Sequence, residues 1–164
     1  DLANTIGNLL NRTTSMSRKL FDNKVPINNE IKSENKLECL AKTSVENYIN
    51  KFNTYKLDQA ANEVLNLAIN TNLYLNDNQP WLLIKENDKL PVVKEIIYNV
   101  LESTRIIGLL LLPLLPELSS KINLQLGSIY QKDFSWEQQL KWGLLVSNTN
   151  LPKPCPIIDK LEYE

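Results

Sequence analysis

Apolar positions return every three or four residues along most of this chain, the spacing that gathers them on one side of an α-helix. Leu2, Ile6, Leu9, Leu10, Thr13 and Leu20 form the first series, while Asn8, Arg12, Ser15 and Lys19 follow the same period on a face roughly opposite Ile6. The series stops around Asp22-Asn23-Lys24-Val25-Pro26, and a polar loop is expected to about Glu34. Leu37, Leu40, Ala41, Val45, Tyr48, Ile49 and Phe52 predict a second helix. A third starts near Lys56-Leu57-Asp58, with the stripe Leu57, Ala60, Ala61, Val64, Ala68, Thr71 and Leu75, whose small residues predict close approach to a neighbour. It should end within Asn76-Asp77-Asn78-Gln79-Pro80-Trp81, because the residue before a proline disfavours the helical conformation.

The fourth series keeps its period best: Val93, Ile96, Ile97, Val100, Leu101, Thr104, Gly108, Leu111 and Leu112. It follows Pro91, and Pro113 and Pro116 bring it to a kink or a stop. Pro116-Glu117 can open a fifth helix that runs to Gly127, a natural C-terminal cap, and Trp136 to Leu145 predicts one more. The proline-rich tail after Asn150 should be extended. No segment alternates in the manner of a strand, and there is neither an internal repeat nor a heptad. The expected fold is therefore all-α, an antiparallel bundle of five or six helices.

Composition narrows the chemistry. At 164 residues, 43% hydrophobic and 23% charged, the chain fits one soluble domain with a sizeable core. Four glycines leave little room for phosphate-cradling loops. The absence of histidine removes His-based acid–base catalysis, Ser-His-Asp and Cys-His systems, and most catalytic zinc sites. Cys39 and Cys155 read as free thiols of a reducing, cytoplasmic setting rather than a disulfide, and two thiols alone do not make a structural zinc site, so no metal is expected. The most apolar run, Ile106 to Pro116, is too short to cross a bilayer and reads as a buried helix; no membrane partner is expected. With net charge −1 and a pI near 5.6, the chain lacks the basic surface of a protein that holds nucleic acid by phosphate neutralisation, so any such function must rest on a local site.

Two places offer such a site. Asn8 and Arg12 are four apart, so on a helix an amide and a guanidinium fork emerge from one face, suited to a base edge or a phosphate. Spacing alone equally describes a solvated helix face. Trp81, after Pro80 at the end of the third helix, can present an indole for stacking on a base, or can simply cover the edge of the core.

These segments together resemble the methionyl-tRNA synthetases. The resemblance is carried by Leu2-Ala3-Asn4-Thr5-Ile6-Gly7-Asn8-Leu9-Leu10-Asn11-Arg12, by Asn72-Leu73-Tyr74 leading to Gln79-Pro80-Trp81, and by Tyr98-Asn99-Val100-Leu101-Glu102-Ser103 through Pro113-Leu114-Leu115-Pro116-Glu117-Leu118. Their order and spacing are similar to those of the family's helical anticodon-binding domain, of the type found in class I synthetases. The likeness covers residues 1–127 and continues more loosely through Trp136, Trp142-Gly143 and the tail.

The resemblance implies a domain over 1–127 that reads the CAU anticodon of the tRNA for methionine. Residues 128–164 would form a closing helix and tail that pack on the bundle or on a catalytic domain outside this chain. It further implies that Trp81 stacks on the first anticodon base, positioned by Pro80, while Asn8 and Arg12 read base edges or hold the neighbouring backbone. Arg18, Lys19 and Lys24 would add phosphate contacts or form a solvated face. Reading splayed bases needs a few directional contacts rather than a basic surface. The whole enzyme would be a methionine–tRNA ligase, a monomer in the cytoplasm, with ATP and methionine bound by that catalytic domain.

No catalytic residue is expected in this chain, whose start already in helical pattern reads as part of something longer. The family's His-Ile-Gly-His signature has no counterpart, and Ser15-Met16-Ser17-Arg18-Lys19 only superficially resembles its Lys-Met-Ser-Lys-Ser loop, because Ser15 replaces the leading lysine and the segment continues a helix. The tail from Pro154 to Glu162 departs from the family's closing pattern. Two alternatives stay open on sequence grounds: the related domain of a leucine, isoleucine, valine or cysteine enzyme, and a helical protein-interaction module with no RNA role.

Overall fold

A computed structural model describes residues 2–27, 35–127, 130–155 and 157. Its helices are α1 (Leu2–Phe21), α2 (Lys36–Asn53), α3 (Leu57–Asn78), α4 (Pro80–Leu83), α5 (Leu90–Leu111), α6 (Pro116–Gln125) and α7 (Trp136–Gln139). Five long helices make the bundle, and α4 and α7 are single turns. Of the polar loop expected to Glu34, residues 28–34 lie outside the described residues, as does the tail from 158 onward.

Local chemistry sets the ends of these helices. Asn35 caps α2, its side chain accepting the Leu37 N–H at 3.0 Å. Tyr55, in the left-handed region at φ 60°, reverses the chain so that α2 and α3 lie side by side. Gly127, at φ +80°, follows α6, and a Cβ there would come within 2.8 Å of the Asn150 carbonyl oxygen, so both the turn and the close approach of the tail need glycine.

The fourth series becomes the centre of the molecule. α5 touches α1, α2, α3, α4 and α6, and every residue from Ile96 to Leu111 is buried. A stripe was expected; the helix is instead enclosed on all sides, so Tyr98, Asn99, Glu102 and Arg105 are buried with the apolar positions. Leu112, placed in that stripe by its spacing, lies past the helix end and is exposed, and Leu57, in the first turn of α3, is exposed as well. Contacts Thr71–Ser103 and Tyr74–Asn99 run in opposite senses along α3 and α5, which pack antiparallel. Buried threonines cost little here because Thr13, Thr71 and Thr104 each donate to the carbonyl four residues back.

The last predicted helix is much shorter than its pattern. Ser135 and Gln138 form a capping box that starts α7, but the helix stops at Gln139 rather than near Leu145. The cause lies in α5. The Glu102 carboxylate accepts the backbone N–H groups of Gly143, Leu144 and Leu145 at 2.7, 3.1 and 3.0 Å, so those donors cannot continue a helix. Arg105, paired with Glu102 at 2.6 Å, donates to the carbonyls of Gln139 and Lys141 at 2.6 and 2.7 Å. One buried ion pair thereby unwinds 139–145 and fastens it to the central helix. Tyr98 adds a hydroxyl bond to the Leu145 carbonyl. Beyond it, Asn148, Thr149 and Leu151 lace to Val25 and Asn23 through backbone hydrogen bonds, bringing the tail against the end of α1.

Candidate nucleic-acid interface

α1 buries Ile6, Leu9, Leu10, Thr13, Thr14 and Ser17, which leaves Asn8, Arg12, Ser15 and Lys19 on the opposite side. Asn8 is exposed, and its amide has no hydrogen-bond partner among the described residues. It lines a cleft of about 420 Å³ with Asn4 and Asn11, closed on the far side by Gln125 and Cys155. The Gln125 amide donates to the Cys155 carbonyl and so holds that wall in place. Both cysteines are free and exposed.

Arg12, one turn further on, is half-buried. Its guanidinium reaches α3, donating to Asn72 Oδ1 at 3.3 Å and to Asn76 Oδ1 at 2.7 Å. Two of five N–H donors are used, and three remain for a ligand. Asn72 and Tyr74 are two residues apart on α3 and so face in nearly opposite directions: Asn72 turns to α1, while the Tyr74 hydroxyl accepts from Asn99 of α5 at 3.2 Å. Burial pushes the Tyr74 phenol above its ordinary pKa.

α3 ends at Asn78, three residues before the tryptophan. Gln79 takes a left-handed conformation at φ 43°, and Pro80 occupies the first turn of α4, where its missing N–H costs nothing. The segment is thus a helical turn rather than the plain helix–loop junction expected from the sequence. Pro80 is buried and anchors the turn; Trp81 is 39% exposed beside exposed Leu82. Because Asn76 lies in the last turn of α3, its bond to Arg12 sets the polar face of α1 at the end of α3 that carries Trp81.

The remaining basic candidates lie elsewhere. Lys19 shares the Arg12 face but sits two turns on, roughly 10 Å along the axis. Arg18 is exposed beside it, and both complement the negative end of α1. Lys24 lies past the helix, half-buried, with its backbone bridged to Asn150. The structure therefore gathers Arg12, Pro80 and Trp81 at one end of α3, sets Asn8 on the adjoining cleft, and leaves Arg18, Lys19 and Lys24 towards the other end of α1. Asn72 and Asn76 are partners that sequence reasoning did not single out. Periodicity could not have found them, since their importance comes from a helix 60 and 64 residues away.

The chain is similar to known proteins along its length. The family described as the anticodon binding domain of methionyl tRNA ligase matches residues 25–160. The chain is 34% identical over 174 residues to a methionine–tRNA ligase of Synechocystis sp., covering 99% of this chain and 32% of that protein. It is 32% identical over 167 residues to one of Listeria monocytogenes, covering 100% of this chain and 25% of that protein. Among solved structures, the apo form of Mycobacterium tuberculosis methionyl-tRNA synthetase superposes with a TM-score of 0.84 at 26% identity, over 100% of this chain and 33% of that one. The same enzyme bound by methionyl-adenylate gives 0.83 at 29% identity, over 96% and 31%. The chain thus spans about a third or less of the length of these relatives.

Proposed function

The chain belongs to the family of methionyl-tRNA ligase anticodon-binding domains, and from that premise we propose that it reads the CAU anticodon loop of the tRNA for methionine. The observation that supports this most is the pairing of a half-exposed indole with an oriented arginine. Trp81 stands on a proline-anchored turn just past α3, and Asn76 holds Arg12 at the last turn of α3. An aromatic face stacks an unpaired base whatever its identity, while a guanidinium and the amide of Asn8 distinguish base edges. Trp81 takes the first anticodon base, Pro80 sets the ring, and Asn8 and Arg12 read or hold the bases beside it. Arg18 and Lys19 on α1, and Lys24 just past it, would meet phosphates.

In this reading residues 1–127 carry the recognition surface, and 128–164 supply a closing segment that packs on the bundle or on the catalytic domain outside this chain. The whole ligase attaches methionine to its tRNA in the cytoplasm as a monomer, with ATP and methionine bound in the larger part of the enzyme that this chain does not span. No helix among the described residues is long and apolar enough to cross a membrane.

The test is the affinity of this chain for an RNA stem-loop carrying CAU against one with the anticodon permuted, for the wild type and for Arg12→Ala. A base-edge contact is worth about 1–3 kcal/mol of discrimination, so Arg12→Ala should weaken the CAU complex roughly five- to 150-fold and the permuted one much less. Equal losses on both loops would identify a phosphate contact instead.

A further inference from the structure

Arg12 is an arginine whose guanidinium is held without a carboxylate. Its two acceptors are the neutral amide oxygens of Asn72 and Asn76, at 3.3 and 2.7 Å, and among the described residues it forms no ion pair. That choice of partner has a physical consequence. A carboxylate would engage the fork bidentately and cancel its charge, leaving little for RNA. Two amide oxygens restrict the long side chain, which otherwise carries a large rotamer entropy, while the full positive charge and three donors stay available.

The amides are themselves set. Asn72 Nδ2 donates to the Ala68 carbonyl one turn back at 3.3 Å, which fixes its amide so that Oδ1, not the NH2 group, faces Arg12. Asn76 stands one turn further along the same face, so the two oxygens are spaced along α3 to take two different nitrogens of one guanidinium, Nη1 and Nη2.

We propose that Asn72 and Asn76 are positioning residues for Arg12, a neutral clamp that pre-orients its guanidinium toward an anticodon base and so sets the domain's discrimination between anticodons. This rests on the anticodon-reading function proposed above. Neither asparagine need touch RNA. Their contribution comes from ordering Arg12 before the ligand arrives, which removes an entropy cost from binding.

Two measurements test the clamp. The first needs no RNA: nitrogen relaxation of the Arg12 Nε–H group should report an ordered side chain in the wild type and a disordered one in Asn72→Ala/Asn76→Ala, with the melting temperature of the domain nearly unchanged because Asn76 is exposed and Asn72 only half-buried. The second is a double-mutant cycle on stem-loop binding. The paired asparagine variant should lose about tenfold in affinity for the CAU loop, as hydrogen bonds to a charged group are worth, yet less than about twofold when made in an Arg12→Ala background. An equally ordered Arg12 in the paired variant overturns the proposal. So does an asparagine loss that persists without Arg12, which would mean direct RNA contact, or a gain in affinity, which would mean that the clamp blocks the site. If the wild type fails to distinguish CAU from permuted loops, the anticodon-reading function falls and the specificity role with it, while the relaxation data separately decide whether the asparagines order Arg12.

Discussion

Replacing Glu102 by alanine should destabilise this domain more than any surface change, and the structure shows why. The carboxylate is fully buried and accepts five hydrogen bonds: two from Arg105 at 2.8 and 2.6 Å, and three from the backbone of Gly143, Leu144 and Leu145. Without it, a guanidinium at 2% exposure keeps only two carbonyl partners, and three backbone N–H groups lose theirs. Stranding one member of a buried ion pair costs about 3–5 kcal/mol. Each orphaned donor would add about 1–3 kcal/mol if nothing relaxed. Residues 139–145 can however pull away into water, so the realistic total is roughly 4 kcal/mol. For a domain of this size that corresponds to a drop of about 8–16 °C in melting temperature.

Removing both charges with Glu102→Leu/Arg105→Met should not restore stability as it does for a simple ion pair, because the N–H groups of Gly143, Leu144 and Leu145 and the carbonyls of Gln139 and Lys141 still lose the partners that the pair supplies. Thermal unfolding gives the magnitude, and amide hydrogen exchange at Gly143, Leu144 and Leu145 gives the location. A Glu102→Ala protein that melts within about 2 °C of wild type, or that keeps those three amides protected, would refute the fastening of 139–145 to α5 by Glu102.

Three further outcomes follow from other parts of the structure. The Tyr48 hydroxyl is buried without a hydrogen-bond partner among the described residues while its ring stacks on Phe52 at 5.7 Å, so Tyr48→Phe should leave stability unchanged or raise it by about 1 kcal/mol, measured by urea unfolding. Burial pushes the Tyr48 and Tyr98 phenols up to about 12 against the ordinary value of 10.0, so the fold favours their neutral forms. Their contribution to stability is complete below pH 10 and is lost as pH rises from 10 towards 12, on the order of 2–3 kcal/mol per tyrosine; phenolate absorbance in a base titration should show Tyr48 and Tyr98, with Tyr74, titrating late, and the ionisation of the first two coinciding with unfolding. Finally, this chain by itself should give no methionine-dependent exchange of pyrophosphate into ATP, and robust exchange by highly purified protein would contradict its role as a binding domain.

The helices were largely legible because burial leaves a periodic trace: the stripe from Ile97 through Leu111 marked the central helix, and Pro116 and Gly127 marked the bounds of the next. Enclosure left no such trace. A helix buried on every side shows its apolar stripe much as a half-buried one does, and only the charged pair Glu102 and Arg105 within an apolar run hinted that something buried would have to answer it. The overlong reading of α7 has the same origin, since its pattern runs on to Leu145 while a carboxylate about 40 residues earlier takes the N–H groups the helix needs. At the interface, the spacing of Asn8 and Arg12 and the Pro80-Trp81 pair were visible. Their geometry was not, because Arg12 is placed by asparagines on another helix and Trp81 by a left-handed turn at Gln79 that no simple residue preference announces.

Anticodon reading at this surface stands or falls on Trp81. At 39% exposure on a turn anchored by buried Pro80, it should be far more important to RNA than to the fold. The decisive measurement is paired, stem-loop affinity and melting temperature for wild type, Trp81→Ala and Trp81→Phe. Stacking on one base is worth about 1–3 kcal/mol, so Trp81→Ala should weaken CAU binding roughly five- to 150-fold, with Trp81→Phe in between. Its melting temperature should fall much less than that of a buried tryptophan truncation, which costs about 3–5 kcal/mol. A Trp81→Ala protein that unfolds readily, while its folded fraction binds the CAU loop as tightly as wild type, would make Trp81 a packing residue and contradict anticodon reading at this surface.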